Sequence, residues 1–136
     1  MPKVAVLAAV EVVNPRMQAT VDAALLTMMN RRGQIRDCVV DGPLAMDLAL
    51  SREAAAHKGV VSEVAGAADI LLTHDIDVGN SVLKTFTLAG DCLLGGVVMG
   101  ASAPIVLVSR SDVANCKLYS IACAAAICGV LDKGHV

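Results

Sequence analysis

Ser109 and Arg110 stand where the apolar run Pro104–Val108 stops, and Ser111 and Asp112 follow at once. A guanidinium at the carboxyl end of a buried strand, beside the free N–H groups of a helix start, can hold a phosphate or an acyl phosphate through paired hydrogen bonds. Three further polar groups share that kind of position: Asp41-Gly42-Pro43, the run from Asp75 through Gly79 to Asn80, and Glu11 to Asn14. In an open α/β sheet, ligands bind outside the carboxyl ends of the strands, so all four clusters belong to one candidate mouth. Each also has a plainer reading. Asp41 suits a turn, Asp75 and Asp77 suit a helix start, Asn80 suits an N-cap, Glu11 suits an exposed loop and Arg110 suits solvent. His74 is a candidate general base by residue type, although no serine, cysteine or metal-ligand spacing accompanies it. His57 and His135 read as solvated.

The elements that must carry these residues follow from periodicity. Lys3 to Ala9 reads as a strand, and a turn at Asn14-Pro15 leads to a helix whose apolar face runs through Met17, Val21, Ala24, Leu25 and Met28. Gly33 stops it. Ile35 to Val40 reads as a second strand ending in the Asp41-Gly42-Pro43 turn. Leu44–Leu50 and the stretch from Ser51 to Lys58 read as two short helices, and residues 59–68 as a loop around Gly66. Asp69 to Thr73 is a third strand, followed by a polar turn and a helix over Ser81–Ala89. Leu93–Met99 and Pro104–Val108 read as fourth and fifth strands, too closely joined for a crossover helix and so expected to form an antiparallel excursion. An alanine-rich helix over Leu118–Leu131 ends the pattern. Strands alternating with helices predict an α/β fold with a mostly parallel sheet flanked by helices.

Composition narrows the function classes. A chain of 136 residues suffices for one domain with a core, and its 56% hydrophobic content includes only Phe86 and Tyr119 as aromatics. The core must therefore be built from Ala, Val, Leu, Ile and Met. A net charge of −2 offers no general attraction to polyanions, so nucleic acid is not an expected partner. Cys38, Cys92, Cys116, Cys123 and Cys128 form no CxxC pair and read as small apolar residues of a reduced, cytoplasmic protein. No metal is expected. The uncharged stretch from Cys92 to Ser109 is broken by Gly95, Gly96, Gly100 and Pro104, so no membrane span is expected and the protein reads as soluble.

The wording of the sequence adds a resemblance. AAVEVVNPRMQATVDAA, RRGQIRDCVVDGPLAMDLALS, EAAAHKG, VAGAADILLTHDIDVGN, GGVVMGASAPIVLVSRSD and KLYSIACAA together resemble the carboxyl-terminal half of the phosphate acetyl/butyryltransferases, closest to the butyryl branch. The resemblance implies reversible transfer of an acyl group between coenzyme A and phosphate, with acyl-CoA, phosphate and acyl phosphate as partners. Coenzyme A is then a substrate, and no cofactor is needed. It implies the two-domain fold of isocitrate and isopropylmalate dehydrogenases, a cleft between the domains, and a homodimer. It places Arg110, Ser109 and Asp112 in catalysis, and Asp41, Gly42, Asp75, Gly79, Asn80 and Glu11 in substrate binding. Family enzymes are roughly twice this long, which implies that residues 1–136 are the carboxyl-terminal portion, one domain plus a segment of the other, with the amino-terminal domain absent.

In the acetyltransferase branch an aspartate follows the arginine by six residues; here that position is Cys116, and Asp112 is the available substitute. Arginines that relatives supply from the amino-terminal domain have no counterpart in this chain. The expectation is that these residues turn over little by themselves. The competing account is a noncatalytic module for coenzyme A binding or dimerisation.

Overall fold

The computed structural model describes residues 1–90, 92–109 and 113–131. The elements are β1 (Lys3–Leu7), α1 (Gln18–Arg31), β2 (Val39–Leu44), α2 (Met46–Leu50), α3 (Arg52–His57), β3 (Ile70–Leu72), α4 (Ile76–Ala89) and α5 (Ala114–Leu131). They fall into two compact units, Met1–Ser81 and Val82–Val136.

In the first unit a three-stranded sheet has the order β2-β1-β3, with both neighbours parallel to β1. Alternation along β1 sends its side chains to two separate clusters. Val6 packs with Ala23 of α1 and Val40 of β2 on one face. Ala5 and Leu7 pack on the other with Leu44, Leu48, Ala49, Ala55, Val64 and Ala65. Leu44, Leu48 and Val64 are fully buried, and each such side chain contributes about 1.5–3 kcal/mol of transfer free energy. The core is thus aliphatic, as the composition requires.

α1 lies close to its sheet because the contact is made of small residues. A Cβ on Gly42 would lie 2.7 Å from the Val6 carbonyl oxygen and 3.2 Å from the Ala23 Cβ. Thr27, also at this contact, places its hydroxyl 2.9 Å from the Ala23 carbonyl oxygen and 3.2 Å from that of Gly42. On the opposite face, Ser51 caps α3 by accepting from the Ala54 N–H at 3.2 Å. The stretch after α3 then folds back, with the Gly66 N–H donating to the Leu48 carbonyl at 2.7 Å.

Three sequence expectations are corrected. The second strand is Val39–Leu44, not Ile35–Val40, and Asp41-Gly42-Pro43 lies inside it. The cause is Asn30: its amide donates to the carbonyls of Ile35 and Cys38 at 3.0 and 2.9 Å, and its oxygen accepts from the Val40 N–H at 3.0 Å. These carbonyls are therefore held by a side chain in a loop, where Asp37 takes a positive φ of 61°. The helix expected at Ser81 begins at Ile76. The fourth and fifth strands reduce to one antiparallel bridge, Val98 with Ile105, whose two N–H···O bonds measure 2.8 and 3.0 Å. Antiparallel pairing is as expected, but among the described residues no ladder extends from it.

In the second unit the segment before that bridge is tied to α5. The Gly96 N–H donates to the buried Ser120 hydroxyl at 2.9 Å, and that hydroxyl donates to the Cys116 carbonyl at 2.7 Å. Gly95 runs so near the helix that a Cβ there would meet the Tyr119 backbone at 3.2 Å. Among the described residues no helix is long and apolar enough to cross a membrane.

Candidate functional site

The carboxyl edge of the first unit is built by the loop after β1, the start of α1, the end of β3 and the start of α4. Thr20, fully buried, holds the first of these loops. Its Oγ1 accepts from the Asn14 N–H at 2.9 Å and lies 2.8 Å from the Met17 carbonyl oxygen and 3.0 Å from that of Asn14. Asn14 in turn accepts from the Arg16 N–H through its side chain at 3.0 Å. The Asn-Pro turn is therefore fixed from inside the helix, although the Met17 N-cap side chain makes no capping bond. Glu11, in the same loop, pairs with Lys58 at 3.6 Å, and Lys58 also reaches Asp47 at 3.4 Å.

Asp75 caps α4. Its carboxylate accepts from the Val78 N–H at 2.8 Å and its carbonyl from the Gly79 N–H at 3.0 Å. That is the helix-start role open to any aspartate, and it explains why α4 begins five residues earlier than the turn residues suggest. Asn80 is consequently an exposed residue inside the helix and not its cap. Gly79 lies against Thr73, where a Cβ would come 2.8 Å from the Thr73 hydroxyl oxygen. Glycine at this position lets the end of β3 and the first turn of α4 approach one another.

A small cleft of about 170 Å³ opens at this edge, lined by Val6, Leu7, Ala19, Asp22, Leu26, Leu72, Thr73 and His74. Here His74 Nδ1 lies 3.6 Å from an Asp22 carboxylate oxygen. The other Asp22 oxygen accepts from the Gln18 amide at 2.7 Å. Asp22 and Gln18 face one another one helical turn apart, a spacing that reads in sequence as an ordinary exposed pair. The pairing with His74 comes from the β1-α1-β2 and β3 topology, and no local motif announces it.

The remaining sequence candidates are distributed differently. Asp41 is half-buried in mid-strand, paired in register with Ala5. It lines a groove of about 560 Å³ with Asn30, Arg31 and residues 61–64, at the carboxyl end of α1 and away from the β3–α4 junction. Gly42 is occupied by the α1 contact. Ser109 is described and exposed, whereas Arg110 and Asp112 lie outside the described residues, as does Ser111. Cys116 is half-buried in α5 and its thiol is free. Among the described residues no group of three His, Cys, Asp or Glu side chains could hold a metal ion.

The first unit is a parallel sheet layered between helices, with a polar edge at its strand ends, and its chain is similar to solved phosphotransacylases. A branched-chain phosphotransacylase from Enterococcus faecalis V583 superposes with a TM-score of 0.81 at 42% identity, over 91% of this chain and 44% of that one. The profile of the phosphate acetyl/butaryl transferase family matches residues 1–125, and the chain belongs to that family. It is 57% identical over 128 residues to the phosphate butyryltransferase of Clostridium acetobutylicum, covering 94% of this chain and 42% of that protein. To the probable phosphate butyryltransferase of Bacillus subtilis it is 53% identical over 135 residues, covering 99% and 44%. The chain thus spans less than half the length of the curated relatives it matches.

Proposed function

We propose that these residues form the carboxyl-terminal portion of a phosphate acyltransferase of butyryl type, which moves an acyl group between coenzyme A and inorganic phosphate. The observation that carries this is the 57% identity to a phosphate butyryltransferase across 94% of the chain. The reaction asks for a fixed cation on the phosphate while a thiolate attacks the acyl carbonyl, and arginine meets that need with two parallel N–H bonds where lysine offers a point charge. Arg110 is the residue assigned to it, with Ser109 beside it and Asp112 as the neighbouring carboxylate. Asp75, Gly79 and Asn80, around the start of α4, are the substrate-binding candidates of the first unit, with Glu11 in the loop after β1, whereas Asp41 lines the groove at the carboxyl end of α1 and Gly42 is taken up by the α1 contact. Holding both substrates in one complex supplies several kcal/mol of the barrier reduction without a covalent enzyme intermediate. The protein in this reading is a cytoplasmic homodimer whose acyl site is completed by chain beyond these residues.

The test uses the product of the complete reading frame that contains these residues, with butyryl-CoA and phosphate, following release of the free thiol. Arg110→Ala is expected to lower kcat/KM by about a hundredfold or more, the scale of losing one preorganised charge-stabilising group. Arg110→Lys should recover part of it. Undiminished turnover in Arg110→Ala would remove the proposed anchor.

A further inference from the structure

His74 and Asp22 have so far no part in the reaction. They come from different elements, the end of β3 and the first turns of α1, and meet at the carboxyl edge where substrates of this architecture bind. Both remain reachable, with side chains 36% and 41% exposed. The other residues lining their cleft are Val6, Leu7, Ala19, Leu26, Leu72 and Thr73, so the pair supplies all its titratable groups. Asp75, next along the chain, turns its carboxylate to the Val78 N–H of its own helix. Gln18 holds one Asp22 oxygen and the other faces His74 Nδ1. A carboxylate on that side favours the tautomer with its proton on Nδ1, which leaves the lone pair on Nε2.

We propose that His74, oriented by Asp22, is the proton acceptor for the coenzyme A thiol. This rests on the acyltransferase reading above and deepens it. In the direction that makes acyl-CoA, Nε2 takes the S–H proton, sulfur bonds to the carbonyl carbon of the acyl phosphate, and the carbon–oxygen bond to phosphate breaks with its electron pair leaving on phosphate. In reverse, the imidazolium returns the proton to the departing thiolate. His74 is then the catalytic group and Asp22 a positioning residue.

The experiment measures kcat/KM against pH for the complete reading-frame product and for His74→Asn, Asp22→Asn, Asp22→Glu and Asp112→Asn. His74→Asn should lose about 10²-fold or more, the usual contribution of a general base, and should lose the acid limb of the profile. Asp22→Asn should lower kcat by about tenfold or more with little change in KM, because the imidazole adopts the other tautomer, as in the serine protease triad, and Asp22→Glu should recover part of the loss. Thermal unfolding of the exposed-site variants should stay at the wild-type temperature. If the wild type turns over and His74→Asn keeps the acid limb, or Asp112→Asn abolishes it, the proposal is overturned while the acyltransferase reading stands. Absence of turnover in the wild type would instead remove that reading, and the proposal with it.

Discussion

Replacing Gly66 by alanine, with Gly59→Ala as its partner, separates two costs that glycine usually hides together. Both glycines have positive φ, +69° and +66°, so each substitution carries the left-handed penalty of about 1–2 kcal/mol, offset by about 0.4–1 kcal/mol from the restricted unfolded chain. They differ in surroundings. A Cβ on Gly59 meets nothing within 4 Å, whereas one on Gly66 would lie 2.5 Å from the Arg52 Cα and Cγ and against the Arg52 backbone nitrogen. Backbone cannot swing aside as a side-chain tip can, so the second cost is overpacking, about 1–3 kcal/mol. Gly66→Ala should therefore fall below Gly59→Ala by about 1–3 kcal/mol in urea unfolding followed by far-UV circular dichroism. In a unit of 81 residues, at about 4–8 °C per kcal/mol for this size, the thermal midpoints should be separated by about 4 °C or more. Equal midpoints would mean that the chain after α3 does not sit on Arg52, and the packing of the second sheet face would have to be redrawn.

Two further substitutions test the fold. Gly42→Ala should cost about 1–3 kcal/mol in the same unfolding assay by driving α1 off the sheet, yet leave KM for phosphate unchanged at a temperature where the protein stays folded. A raised KM there would return Gly42 to the substrate site. Ser51→Ala should cost about 0.5–2 kcal/mol through loss of the α3 cap, read by chemical denaturation, while Ser51→Asp should retain most of that stability; an unchanged Ser51→Ala midpoint would mean that the Ala54 N–H finds another acceptor.

Elements with a strong period or a firm stop were legible. β1, the existence of α1 and the break after Arg31 follow from a β-branched run, apolar residues at helical spacing and Gly33, but the face of α1 was misread: Thr20, Ala23 and Thr27 are the buried residues, whereas Leu25 and Met28 of the expected face are exposed. The Ser51 cap was legible for the same reason, since a serine before an alanine-rich stretch has one local use. The second strand was misplaced because Ile35 leads through Cys38 into the apolar pair Val39-Val40, while the carbonyl groups of Ile35 and Cys38 are taken by Asn30, a side chain on another element. The Asp75–Asn80 turn was misplaced because aspartate, glycine and asparagine are equally at home in a turn and in a first helical turn. Strands at Leu93–Met99 and Pro104–Val108 rested on composition alone; exposed Val98, Ile105 and Leu107 show no covering layer that would extend the bridge into a ladder. At the site, His74 was visible by residue type. Asp22 was not, since its partner is set by which strands neighbour β1, and only topology supplies that.

The Asn30 side chain does the work of a short missing strand, giving donors to two carbonyls and an acceptor to one N–H. Aspartate in its place would have nearly the same shape and keep the acceptor, but would set oxygen lone pairs against two carbonyl oxygens. The entrance to β2, and with it the groove beside Asp41, thus depends on which atom of one side chain is nitrogen and which is oxygen.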